Sequence, residues 1–188
     1  KSFHVYFYSV KGVFIFYCEF IKIIFAKNNL VQNIQVILYT DGSSRGNPGP
    51  GGYGLILEWA GKNVFKEFSQ GYRKTTNNRM ELLAVIVGLE KLKNPGTSIL
   101  VVSDSKYVID AVDKKWVFGW EKKNFKDKKN PDLWIRFLKI YRQHQVTFKW
   151  IKGHNNHKMN ERCDVLAVEA ALGTKLIIDE YYESIENN

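Results

Sequence analysis

Two apolar runs, each leading to an aspartate and separated by one almost wholly apolar helical stretch, constrain this chain more than any other feature. Residues 34–40 are β-rich and end at Asp41, and residues 99–102 form a continuous apolar run with Ser103 and Asp104 behind it. Between them Met80, Leu82, Leu83, Ala84, Val85, Ile86 and Leu89 fill a segment that Thr76 or Asn77 can cap. Asn94-Pro95-Gly96 stops it after about Lys93. A helix apolar on nearly every side is a buried one. A strand, a buried helix and a second apolar strand close as a right-handed crossover, which lays the two strands side by side in parallel. Asp41 and Asp104 then meet at the carboxyl ends of neighbouring strands, where open α/β sheets place their sites.

The remaining elements fit around that unit. The run Gly-Ser-Ser-Arg-Gly-Asn-Pro-Gly-Pro-Gly-Gly after Asp41 reads as a turn-dense loop, and residues 53–59 and 64–72 complete an antiparallel meander. Helices are expected at 105–113, 115–123 and 131–143, the third with Asn130 as cap and Pro131 in its first turn. A short strand at 146–151 leads through a polar, His-bearing loop to a last helix at about 160–172.

At 188 residues, one domain with a full core is expected, and the formal charge of +9 suits a polyanionic partner, nucleic acid first. The last ten residues, 179–188, hold four acids and no base, so they read as an acidic tail and the positive excess lies in the body. Two cysteines, Cys18 and Cys163, make no framework and favour a reducing, intracellular setting. Residues 1–33 look foreign to the rest, with nine aromatics, one Gly and no Pro. Lys11, Glu19 and Lys22 break their apolar runs well short of the ~20 residues a membrane span requires. The expectation is an extension outside the domain, a translated upstream region or gene-model extension with the native start near Leu30 or Val31. The rival reading is a membrane-associating appendage. The domain itself is set at 34–178.

Besides Asp41 and Asp104, two acids stand out: Glu81 in Asn-Asn-Arg-Met-Glu-Leu and Asp164 in Asn-Glu-Arg-Cys-Asp. Singly, Asp41 reads as a turn residue, Asp104 as a helix cap, Asp164 as a surface acid. Glu81 is different, because a charge on a buried helix needs a partner. Four carboxylates converging would repel, at roughly 4 kcal/mol per pair at ~4 Å and an effective dielectric near 20. A hard divalent cation makes such a cluster tolerable. The glycine-rich loop lacks the Lys-Ser or Lys-Thr of a P-loop and leads into a strand, so it is not a phosphate cradle. His154 lies on a loop and suits proton movement. His157 lacks the further ligands of a zinc set. Residues 114–129 carry seven lysines, two acids and four aromatics, including Trp116, Phe118, Trp120 and Phe125. That mixture reads as a packed, protruding basic element suited to a phosphate backbone.

Together these segments resemble the bacterial type of ribonuclease H, from about residue 34 to 172. Tyr-Thr-Asp-Gly-Ser with Gly-Asn-Pro-Gly-Pro-Gly-Gly, then Thr-Thr-Asn-Asn-Arg-Met-Glu-Leu, Ser-Asp-Ser-Lys-Tyr-Val, and Lys-Gly-His followed by Asn-Glu-Arg-Cys-Asp carry the likeness. The resemblance implies an α/β, ribonuclease H-like fold: a five-stranded mixed sheet, antiparallel meander plus parallel strands, flanked by helices. It implies an endoribonuclease that hydrolyses the RNA strand of RNA–DNA hybrids, leaving 5′-phosphate and 3′-hydroxyl ends, as in the removal of replication primers and R-loops. Asp41, Glu81, Asp104 and Asp164 become ligands of Mg²⁺, two ions per site with Mn²⁺ as a substitute, and His154 assists proton transfer or product departure. Asn47, Thr76, Asn77, Asn78 and Lys106 become hybrid contacts, with Trp116, Trp120, Lys122, Lys123 and Lys126 in the basic protrusion. Lys106 stands where the family often has Gln, and the protrusion is shorter than in its best-known bacterial members. The implied protein is a cytoplasmic monomer whose partner is the hybrid, with no membrane. Two rivals share the residues: a DNA nuclease of the transposase, integrase or resolvase kind, and a hybrid-binding module without catalysis.

Overall fold

The parallel pairing that the apolar pattern predicts is present in register. The computed structural model describes residues 34–153, 155 and 157–186. In it β1 (Val36–Ser44) and β4 (Ser98–Ser103) run parallel, Val36 opposite Ile99 and Tyr39 opposite Val102. The connecting helix α1 (Asn77–Glu90) buries Met80, Leu82, Leu83, Ala84, Val85, Ile86 and Leu89. It stops a few residues before the expected end, where the Lys91 amide closes the last turn on the Val87 carbonyl. Asn94, preceding a proline, is disfavoured from helical geometry.

The meander is longer than the glycines suggest. β2 (Gly49–Trp59) and β3 (Val64–Thr75) pair antiparallel, and β2 pairs with β1 as far as Gly51 opposite Ser44. Glycine weakens a strand, which is why residues 49–52 read as loop, but here it serves close packing. A Cβ on Gly54 or Gly71 would run into the backbone of α5 (Lys158–Leu172) at Cys163 or Ala170. β5 (Gln145–Trp150) adds in parallel outside β4. The sheet has six strands rather than five, in the order β5-β4-β1-β2-β3-β6, because β6 (Leu176–Ile177) pairs with β3 at Gly71 and Tyr72. A two-residue strand carries no period to read.

Alternate residues face opposite sides of the sheet, and both sides are covered. Leu38, Leu55, Leu57 and Val101 pack with α1 and with Trp134 and Phe137 of α4 (Pro131–Tyr141). Tyr39, Ile56 and Val102 pack the other way onto Cys163 and Leu166 of α5. Burial on both faces explains why β1 and β4 read as continuous apolar runs. Two further helices, α2 (Lys106–Asp113) and α3 (Trp116–Glu121), fall where expected. Asn130 does precede α4, but in the left-handed region and with no side-chain capping bond; its amide donates instead to the Tyr107 hydroxyl at 3.0 Å.

The acidic C-terminal stretch is not a loose tail. Residues Glu180–Glu186 form α6, and Asp179 is buried. Arg79, 2 % exposed within α1, donates to both Asp179 oxygens at 2.7 Å and to Asp132 at 2.9 and 2.8 Å. The Thr75 hydroxyl donates to Asp179 at 2.8 Å. The signal for this cluster was in the sequence: a guanidinium on a helix apolar on nearly every side needs buried acids.

Candidate active site

The β1–β4 pairing ends at Tyr39 opposite Val102, two positions before Asp41, which lies within β1 where that strand continues along β2, and Asp104, which follows β4. Asp41 is held from behind by the Gly42 amide, which donates to its Oδ1 at 2.7 Å. Asp104 is not a helix cap. Ser105 takes that place, its Oγ accepting from the Val108 amide at 3.3 Å while its hydroxyl donates to Glu81 Oε2 at 2.6 Å. One serine thus starts α2 and ties that start to the acid on α1. Asn77, one turn before Glu81, donates to Oε1 at 2.8 Å. Gly42 lets this end of α1 lie close, since a Cβ there would strike the Glu81 backbone.

Asn160, buried at the start of α5, donates to Asp104 Oδ2 at 3.4 Å, and the Trp150 indole N–H donates to the Asp104 backbone carbonyl at 3.0 Å. Neither residue was singled out from sequence. Asn160 lies in the Asn-Glu-Arg-Cys-Asp segment that carries Asp164, and that spacing was its signal.

Electrostatics joins the four acids. Burial pushes the Asp41 carboxyl up to about 8, with Asp104 the next cause; Asp164 and Glu81 add to it and the Gly42 amide opposes. Glu81 is raised too, first by burial, with the Ser105 bond opposing, Asp104 adding and the Asn77 bond opposing. Neither carboxyl is shifted by a neighbouring cation, so negative charge gathers here without a protein counter-charge acting on either group. Anionic oxygen donors under mutual repulsion fit a hard cation such as Mg²⁺. Among the described residues, no three His, Cys, Asp or Glu side chains stand close enough to hold an ion as placed. Glu81 and Asp104 turn oxygens to Ser105, Asn77 and Asn160 instead.

His154 lies outside the described residues. His157 has a structural place: its Nδ1 accepts from the Asn160 amide at 3.4 Å as the cap of α5, and its ring lies 5.5 Å from that of Tyr39.

The expected hybrid contacts divide into engaged and open groups. Asn47 Oδ1 accepts from the Asn77 amide at 3.3 Å, so the glycine-rich segment is tied to the start of α1, and the Asn77 side chain is committed to Glu81. Thr76 makes no side-chain cap. With Asn47 and Asn78 it lines a cavity of roughly 430 Å³, facing Lys128, Lys129 and Tyr181. In the basic segment Phe125 is buried and Trp120 stands edge-on to Trp134 at 5.6 Å, which anchors the turn in the core. Trp116 is 47 % exposed beneath the Lys114 ammonium, and Lys122, Lys123 and Lys126 are exposed. Lys106 lies over the Trp150 ring, 5.0 Å from its centroid. Among the described residues no helix is long and apolar enough to cross a membrane.

Residues 33–172 match the family model for RNase H. The chain is 52 % identical over 159 residues to a ribonuclease H of Lachnoclostridium phytofermentans, covering 80 % of this chain and all of that protein. It is 51 % identical over 153 residues to one of Syntrophus aciditrophicus, covering 79 % and 87 %. Among solved structures, LC9-RNase H1, a type 1 RNase H with the type 2 active-site motif, aligns with a TM-score of 0.67 at 32 % identity, covering 81 % of each chain. LC11-RNase H1 in complex with RNA/DNA hybrid aligns at 0.54 and 29 %, covering 72 % of this chain and 96 % of that one. The chain belongs to the ribonuclease H family, nucleases that hydrolyse the RNA strand of RNA–DNA hybrids.

Proposed function

We propose that this chain cuts within the RNA strand of RNA–DNA hybrids by a two-Mg²⁺ mechanism, leaving 5′-phosphate and 3′-hydroxyl ends. The observation that carries this reading is the half-buried Asp41 carboxyl of β1, bonded by the Gly42 amide and acted on by the charges of Asp104 after β4, Asp164 on α5 and Glu81 on α1. When bound, paired cations supply activation of the attacking water and stabilisation of the leaving 3′-oxygen. The chain's own residues do the holding. Asp41 is fixed by Gly42, Glu81 by Ser105 and Asn77, and Asp104 by Asn160. His154 moves a proton or eases product departure.

The hybrid lies across this end of the sheet. The RNA strand is told from DNA by its 2′-hydroxyls in a wide, shallow minor groove, a task for Asn47, Asn77 and Asn78. The DNA strand is held through phosphates by Thr76 and by the basic segment with Lys122, Lys123 and Lys126, seated by Trp116 and Trp120. The catalytic domain begins near residue 34, where the family match supports its start, and residues 1–33 stand outside it. The protein acts as a cytoplasmic monomer on hybrids such as primers and R-loops, and Mn²⁺ replaces Mg²⁺.

Labelled hybrid, single-stranded RNA, duplex RNA and duplex DNA, each incubated with and without Mg²⁺, test the reading. Only the RNA of the hybrid should be cut, and only with metal. Asp41→Asn should bring cleavage to background and leave hybrid binding intact. Cutting of plain duplex DNA, or a variant that cleaves at the parent rate, would overturn it.

A further inference from the structure

Trp150 closes the edge strand β5, opposite Ser103 in β4. Val146 and Phe148, the preceding residues on its side of the strand, pack against the main core. Trp150 extends that row past the end of the sheet and stays 44 % exposed. It is nonetheless fixed at two points. Its indole N–H holds the Asp104 carbonyl at 3.0 Å, and the Lys106 ammonium lies over its ring. The chain just beyond it passes close to that aspartate, an approach glycine permits, since a Cβ on Gly153 would lie 2.5 Å from Asp104 Oδ2. An exposed aromatic plate, a cation and the backbone of one of the proposed site's aspartates are thus joined in one bracket.

We propose that Trp150 is a positioning residue for Asp104 and, with Lys106, a contact for the sugar–phosphate edge of the strand that is cut. This rests on Asp104 belonging to the hybrid-cleaving site. In a paired hybrid the bases stack on one another, and the surface offered to a protein is sugar, 2′-hydroxyl and phosphate. A flat indole suits the sugar, and the ammonium held over it suits the phosphate. Because the same indole donates to the Asp104 backbone carbonyl, strand contact and the backbone from which that carboxylate projects are tied to one side chain. Lys106 adds a charge to this rim, and Ser105, between it and Asp104, fixes both to the start of α2.

Phe and Ala at position 150 separate the two roles. Trp150→Phe keeps a ring and loses the N–H. With the full chain it should melt with the parent and, in an Asp41→Asn background without Mg²⁺, bind hybrid as tightly as Asp41→Asn alone. Its kcat should fall by about tenfold, the scale of one lost hydrogen bond of ~1.4 kcal/mol, and its Mg²⁺ titration should move to higher concentration. Trp150→Ala should in addition weaken hybrid binding by about tenfold, the scale of a lost aromatic platform. Lys106→Ala should weaken binding less, and Lys106→Arg should restore it. The tryptophan fluorescence change on adding hybrid to Asp41→Asn should shrink when Trp150→Phe is combined with it. A Trp150→Phe enzyme with the parent's kcat and Mg²⁺ titration, or a Trp150→Ala protein with the parent's affinity, would overturn the inference while leaving hybrid cleavage by the parent untouched. A parent that leaves hybrid uncut would instead overturn the proposed function.

Discussion

Helix α1 carries two charges two positions apart, the buried Arg79 and the half-buried Glu81, and the fold treats them in opposite ways. Arg79 is enclosed by opposite charge. Burial works against its ionised form, yet the bonds and charges of Asp132 and Asp179 more than reverse this and raise its pKa. Glu81 is enclosed by neutral donors and by like charge. Ser105 and Asn77 satisfy its oxygens, while burial and Asp104 raise its pKa. The first cluster is closed: both of its carboxylates are bonded to one guanidinium inside the protein. The second is open: the groups that shift Glu81 are a like charge and neutral donors. A single helix therefore carries a structural clamp and one side of the proposed site, and the presence of a protein counter-charge tells them apart.

The largest expected effect on stability comes from breaking the closed cluster. Arg79→Ala leaves the buried Asp179 without its counter-charge and should lower unfolding stability by about 3–5 kcal/mol. Urea denaturation of the metal-free protein measures it. Adding Mg²⁺ should not restore the loss. A variant that unfolds at the parent's urea concentration would show that the cluster is not what holds α6 and α4 to α1.

The two clusters were unequally legible before the structure. Asp41 and Asp104 followed from chain physics alone, since apolar runs that end in acids and flank a buried helix leave few topologies. Glu81 was recognisable as a charge in need of partners, but its partners were not, because Ser105 comes from another element and reads locally as part of a strand-to-helix turn. Arg79 obeyed the same rule and was passed over, and Asp179 looked like one acid in a polar terminus. Its burial depends on β6 and α6, elements too short to leave a periodic trace. Trp150 and Asn160 were hidden for a third reason. Each acts through a bond to Asp104, and such bonds depend on strand register and helix approach rather than on local pattern.

The open cluster should show itself in pH dependence. The Asp41 carboxyl, pushed up to about 8 from its ordinary value of 3.8, keeps its proton in the fold where the unfolded chain has lost it. Its contribution to stability is thus present in full below the unfolded value and is lost as pH rises through about 8. Asp41→Asn never ionises and escapes that loss. In EDTA the variant should exceed the parent by several kcal/mol at alkaline pH, the rise from 3.8 to about 8 being about four pKa units of 1.36 kcal/mol each, and the gap should close toward the unfolded value. Saturating Mg²⁺ should favour the parent, by ~2.7 kcal/mol at a hundred times its Kd, and the variant less. Urea midpoints across pH, with and without metal, decide the matter. Equal midpoints at alkaline pH would mean that the acids do not form a shared, uncompensated site.

A third kind of charge sharpens the comparison from the outside. Lys122, Lys123, Lys126 and Lys128 belong to neither cluster; they are exposed on a turn anchored by Phe125 and Trp120, with the Lys128 ammonium over the Trp120 ring. Exposed charges contribute little to folding, so replacing all four with Gln should leave the melting temperature nearly unchanged. Their effect should appear only when a polyanion arrives. Each phosphate they neutralise releases counterions, and log K for B-DNA falls by roughly 0.9 per log unit of salt for each. Hybrid binding by the fourfold variant, measured over a salt series with Asp41→Asn to prevent cleavage, should therefore show a shallower slope. An unchanged slope would make this turn a solvated surface and move the phosphate grip to the cavity beside Thr76 and Lys129.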